Sequence, residues 1–114
     1  MNIQSILWTL GVVCVLSVGN VMFKVAADVS LDKGSSVLSL INVFTIMALG
    51  LYGVATIAWI WVLRTAPLGA AYPMISLTFL IVPVASWLLL GENYNWRMVV
   101  GGALIVSGVI VSRL

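Results

Sequence analysis

The sequence has no histidine and one cysteine, Cys14, and its acidic residues are limited to Asp28, Asp32 and Glu92. Without histidine or a second cysteine there is no disulfide framework and no usual set of metal ligands, nucleophiles and general bases. Catalytic residues, a metal site and a cofactor are therefore not expected, and neither is an enzyme. The basic residues are as sparse: five lysines and arginines leave a net charge of +2, too small and too scattered for a nucleic-acid partner. No phosphate-cradling glycine loop is present, which removes ATP as the direct driver of any work. Charged residues make up 7% of the chain against 63% hydrophobic ones, with a mean hydropathy of +1.25. A soluble domain does not carry that much apolar surface, so this is the composition of a membrane protein.

A bilayer core about 30 Å thick needs roughly 20 apolar residues per helix, and the 114 residues accommodate about four crossings with short connectors. The expected fold is an all-α membrane protein, one four-helix transmembrane domain over 1–114, with spans at about 3–27, 37–63, 69–90 and 96–113. The first apolar run is too long for a signal-peptide core and is followed by Lys24, Asp28, Asp32 and Lys33 instead of a small-residue cleavage site, so it is expected to be retained. Ser17, Asn20 and Lys24 recur at i, i+3 and i+7 and form a polar stripe on this helix. Residues 28–36 have the turn and capping residues of an aqueous loop. The second span holds Asn42, Thr45 and Thr56 and ends in Trp59 and Trp61, residues expected at headgroup level.

Residues 66–76, reading Ala-Pro-Leu-Gly-Ala-Ala-Tyr-Pro-Met-Ile-Ser, combine a turn, a helix start, two prolines and an aromatic hydroxyl. Pro67 ends the second helix, since proline has no amide hydrogen and disfavours helical geometry in the residue before it. Within the third span Pro73 falls near the first turn, so Pro83 is the expected kink, tolerated where protein or a cavity covers the freed carbonyl. Residues 91–95 make the last loop. The fourth span carries Gly101, Gly102, Ala103, Ser107 and Gly108, and small residues let backbones approach closely where lipid gives helices no hydrophobic reason to associate. Its face with Gly101, Leu104, Ile105 and Gly108 is the expected dimer contact, the alternative being a helix of the same chain. Four spans put Arg64 and Arg113 on one side of the membrane and Lys24, Lys33 and Arg97 on the other. Two cations against three is no orientation bias, and a chain so balanced is compatible with either insertion and hence with an antiparallel dimer.

The blocks at 64–76, at Leu90-Gly91-Glu92 and at Gly101-x-x-Leu104-Ile105-x-x-Gly108-Val109, with Gly19-Asn20-x-x-x-Lys24 in the first span, resemble the four-helix members of the drug/metabolite transporter superfamily. The resemblance covers about half of the chain. It implies a small multidrug resistance-like protomer that works as a dimer, with the first three helices enclosing a cavity and the fourth making much of the contact. Small multidrug resistance proteins exchange protons for cationic drugs through a glutamate in the first helix. Registered on Gly19 and Lys24, that position here is Leu16, and no other carboxylate falls at mid-membrane. The third helix, through 71–77, and the glutamate at Glu92 look more like the small subunits of the aminoarabinose-phosphoundecaprenol flippases. That family implies movement of a polyprenyl-phosphate-linked sugar between leaflets of a bacterial inner membrane, by a homodimer or by a heterodimer with a related four-helix subunit. A multidrug-type exporter of small or cationic solutes and a non-transporting assembly subunit are the alternatives.

A lipid-linked sugar leaves its tail in membrane lipid, but its phosphate is costly in hydrocarbon unless cations or amides accompany it. Lys24 and Arg64 are the expected phosphate ligands, placed on opposite faces and so suited to successive stages, with Arg97 in reserve. Tyr72 and Ser76, one turn apart, and Asn20 offer hydrogen bonds to the sugar, and Glu92 could hold an aminosugar's ammonium. The plainer roles are snorkelling for Lys24, interfacial anchoring for Arg64 and Arg97, an ion pair with Arg97 or Lys33 for Glu92, the aromatic belt for Tyr72 and a bond to the preceding turn's carbonyl for Ser76.

Overall fold

A computed structural model describes residues 2–34 and 36–114, with Lys33 described by its backbone alone. The chain is all-helical: α1 (Ile3–Lys33), a short 3-10 turn (Val37–Leu40), α2 (Val43–Leu63), α3 (Leu68–Ile75), α4 (Thr78–Leu90) and α5 (Trp96–Arg113). Taken together, α3 and α4 form a single apolar stretch, Leu68–Leu90, so among the described residues four segments are long and apolar enough to cross a membrane. Side-chain amides start three of the helices. Asn2 accepts from the Ser5 amide at 2.8 Å, Asn42 from the amides of Phe44 and Thr45, and Asn95 from the Met98 amide at 3.1 Å, each filling a donor that a helix start leaves open.

Two expected boundaries move. First, α1 does not end before Asp28 but continues to Lys33, where Gly34 takes φ +116° and breaks it. A Lys24–Asp28 ion pair one turn apart, at 3.2 Å, bridges the expected helix end, and the Ser30 hydroxyl bonds that of Ser39 at 2.8 Å beyond it. Second, Asn42 caps α2 instead of lying inside a span that begins at Val37. It also donates to the Ala26 carbonyl at 3.1 Å, which ties the start of α2 to α1 and accounts for its burial.

The two longest helices pack along a seam of small residues. Ser5, Val12, Gly19 and Ala26 are buried on α1, seven apart, and Ala48, Ala55 and Val62, again seven apart, are buried on α2. A seven-residue spacing keeps contacts on one face of a helix, and small side chains there bring the two backbones close. At Gly19 the approach is so tight that an added Cβ would lie 2.7 Å from the Tyr52 ring.

The third crossing is irregular, though not where expected. Pro83 sits inside the continuous helix α4, whereas α3 and α4 are interrupted at Ser76 and Leu77, downstream of Pro73. There the amides of Ser76, Leu77, Phe79 and Leu80 bond three residues back instead of four. The Ser76 hydroxyl also bonds the Pro73 carbonyl, and the Thr78 hydroxyl bonds that of Ile75 at 2.9 Å. Local hydroxyls that take up carbonyls the backbone has released allow such a break inside lipid. The last helix, α5, packs on α3 and α4. Gly102 faces Leu80, whose Cδ1 would lie 2.7 Å from an added Cβ, and Arg113 reaches the Ala70 carbonyl at 3.4 Å.

Candidate functional site

Midway along the α1/α2 seam the Tyr52 hydroxyl donates to the Asn20 amide oxygen at 2.7 Å. Phe23 flanks the same tyrosine ring at 5.1 Å between centroids, and Gly19 lies beneath it. Asn20 was expected as a ligand residue; Tyr52 was not. Its signal in the sequence was a hydroxylated aromatic far from either end of an apolar span, away from the headgroup depth where tyrosine is ordinary. A glycine below, a phenylalanine beside and an amide above fix this ring in one place.

On one side of the seam a crevice of about 120 Å³ opens between α1, α2 and α3, lined by Leu16, Thr56, Trp59, Tyr72 and Ile75 with Val12 and Ala55. Tyr72 is 62% exposed and stands edge-on to Trp59 at 6.4 Å. Leu16, the position where the resemblance to multidrug exchangers would require a glutamate, is part of this lining, so no carboxylate enters the crevice.

The other expected residues lie elsewhere. Arg64, just past the end of α2, is exposed with its guanidinium 4.4 Å over the Trp61 ring, and it lines a polar cleft of about 210 Å³ at the start of α1. Lys24, toward the opposite end of α1, is paired with Asp28 and exposed. Glu92 is exposed in the α4–α5 connection, next to Gly91 with φ +69°. It forms no ion pair with Arg97 among the described residues; the Lys33 side chain lies outside them. Ser76 turns its hydroxyl back to the Pro73 carbonyl. The six residues are thus distributed over the seam (Asn20), the crevice (Tyr72), the α3–α4 break (Ser76) and positions toward the two ends of the bundle (Lys24, Arg64 and Glu92).

Three curated relatives, from Salmonella paratyphi B, Salmonella newport and Salmonella typhimurium, carry the name "Probable 4-amino-4-deoxy-L-arabinose-phosphoundecaprenol flippase subunit ArnE". Each is 45% identical over 65 residues, which is 57% of this chain and 59% of the relative. The chain is similar to these flippase subunits. The matched stretch spans about three-fifths of their length. No family model matches the chain, and no solved structure matches it. With four bilayer-length apolar helices and relatives named as flippase subunits, it is a multi-pass membrane protein whose relatives are transport proteins by name.

The crevice offers hydrogen-bonding and aromatic surface without fixed charge. Tyrosine can both donate and accept, and tryptophan and tyrosine rings pack against the apolar faces of a sugar. A cationic drug would find no counter-charge there. Arg64 and Arg97 lie just outside or at the ends of the apolar segments, where an arginine can meet a phosphate in the presence of water.

Proposed function

We propose that this chain is one protomer of a dimeric, small multidrug resistance-like flippase of a bacterial inner membrane. Its substrate in this reading is a lipid-linked sugar, specifically an undecaprenyl-phosphate aminosugar. The observation that carries the reading is the crevice beside Leu16, which is lined by hydroxyls and an indole and holds no carboxylate that could exchange a proton for a cationic drug. The name of the relatives supplies the substrate class.

In this reading Tyr72 meets the sugar in the crevice, while Asn20 holds Tyr52 and so keeps the α1/α2 wall in register. Arg64 takes the phosphate at one membrane face, and Lys24 takes it at the other by exchanging its Asp28 partner for the ligand. Glu92 at the α4–α5 turn offers a carboxylate to an ammonium on the sugar as it leaves or enters. Ser76 contributes through the break it stabilises. The partner, a second copy or a related four-helix subunit, packs on the α5 face with Gly101, Leu104, Ile105 and Gly108. An added Cβ at Gly101 or Gly108 would meet nothing within 4 Å, and Leu104 is 69% exposed, so this face is available to another helix.

The test is translocation of a fluorescent polyprenyl-phosphate sugar in vesicles containing the purified protein, alone and with a candidate sister subunit. Tyr72→Phe is expected to slow translocation roughly tenfold, the effect of about 1.4 kcal/mol in the transition state. Transport of quaternary ammonium compounds with no movement of the lipid-linked sugar would overturn the reading in favour of a cation exporter.

A further inference from the structure

The polar cleft at the start of α1 and an apolar groove below it form one continuous, lipid-shaped surface on the side of the α1/α2 seam away from the Tyr72 crevice. The cleft is lined by Asn2, Ser5, Trp8, Trp61, Arg64 and Thr65. The groove, about 360 Å³, runs from Leu7 and Trp8 past Gly11 to Val15 on α1, opposite Val54 and Ala58 on α2. Trp8 belongs to both. Val12 and Ala55, 3% and 1% exposed, border both the groove and the crevice and form the wall between them.

We infer that this surface is the docking site for a single-chain lipid phosphate, with the phosphate at Arg64 and the tail in the groove. This placement rests on the flippase reading above and gives its substrate a seat before it reaches the crevice. Four features select that occupant. Arg64 has no carboxylate partner among the described residues, and its guanidinium is held over Trp61 at 4.4 Å, which orients a planar fork suited to phosphate oxygens. The Ser5 and Thr65 hydroxyls face each other at 3.4 Å, a long contact that either can give up for a phosphate oxygen. Depth matches as well: Arg64 lies just beyond the apolar stretch Val43–Leu63, while the groove descends from Leu7 to Val15, about 12 Å along the helix, into the hydrocarbon. Finally, there is one groove below one cation, which fits one tail per phosphate and leaves the second chain of a glycerophospholipid without a seat. Gly11 is what keeps the groove open, since an added Cβ there meets nothing within 4 Å.

The experiment measures retention of undecaprenyl phosphate by the purified protein in native mass spectrometry, with phosphatidylglycerol as competitor, for wild type, Arg64→Gln and Gly11→Leu. An added Cβ at Gly11 meets nothing within 4 Å and points the leucine of Gly11→Leu into open groove space, so both variants are expected to unfold near the wild-type temperature. Retention is expected to fall at least roughly tenfold in each, and equimolar phosphatidylglycerol is expected not to displace the polyprenyl lipid. Unchanged retention in both variants would move the lipid elsewhere, and equal competition by phosphatidylglycerol would make the surface a general anionic-lipid seat; either overturns the inference while the flippase reading stands. Loss of retention in the variants, combined with no translocation by wild type, would keep the docking site and remove the flippase. No retention by wild type removes both.

Discussion

A tyrosine hydroxyl and an asparagine amide meeting at mid-depth in two bilayer-length helices each satisfy a group that hydrocarbon would leave bare. Helices in lipid have other ways to satisfy such groups, so the gain is modest. Tyr52→Phe is expected to destabilise the protein by about 0.6–1.7 kcal/mol, the range for side-chain hydrogen bonds between membrane helices. Asn20→Leu should lose a similar amount, and the double variant less than the sum, as measured by unfolding in detergent; strict additivity would mean the bond contributes nothing. Gly19→Val sets a harder test. Its first added carbon already lies 2.7 Å from a ring fixed by Asn20 and Phe23, so overpacking of about 1–3 kcal/mol is expected, read as a lowered unfolding temperature. Asn20 was legible in the sequence because an amide among aliphatic residues needs a partner. Tyr52 was missed although its mid-span position set it apart from an anchoring tyrosine, because its partner lies 32 residues away on another helix. The absent carboxylate at Leu16 was legible and proved informative, since Leu16 lines the crevice. Ser76 was legible both as a sugar ligand and as a hydroxyl that bonds the preceding turn's carbonyl, and the structure has it on the Pro73 carbonyl.

At the level of elements, apolar run length located the four crossings, while their internal breaks depended on hydrogen bonds that a run length does not record. Two prolines on one crossing looked equivalent by type and unequal by position. The structure gives the break to the region after Pro73, where hydroxyls of Ser76 and Thr78 take up carbonyls, and leaves Pro83 in a helix. The same kind of side-chain bond carried α1 past Asp28 and moved Asn42 to a cap. The heptad of small residues at Ser5, Val12, Gly19 and Ala26 was present in the sequence but overshadowed by the denser glycines of the fourth span. If the Ser76–Leu77 break is where the third crossing bends as the crevice opens, Pro73→Ala should slow translocation while raising stability by up to about 3 kcal/mol, the helix-interior difference between the two residues. Pro83→Ala should raise stability with little effect on rate. Hydrogen exchange at 76–80, together with the vesicle assay, checks this; slower translocation from Pro83→Ala alone would relocate the hinge.

The chain measures 49 × 35 × 19 Å, and its least dimension accommodates no more than about two helices spaced 8–10 Å apart. A slab that thin has its clefts on its faces and cannot enclose a sugar by itself, which makes a partner part of the proposed mechanism. The α5 glycines divide into two groups with different expected consequences. Gly102 is occupied within the chain by Leu80, whereas Gly101 and Gly108 face open space. The seven-residue spacing had already put Gly101 and Gly108 on one face, but it could not say what Gly102 meets inside the chain. Gly108→Leu is therefore expected to weaken the dimer at least roughly tenfold with an unchanged unfolding temperature for the separated protomer. Gly102→Leu is expected to lower that temperature, because the Leu80 contact has no room for a larger side chain. Cross-linking in native membranes and sedimentation in detergent read the first effect, and thermal unfolding the second. A Gly108→Leu protein that remains fully dimeric would transfer the partner from the α5 face to one of the exposed clefts along α1 and α2, in direct competition with the lipid proposed to lie there.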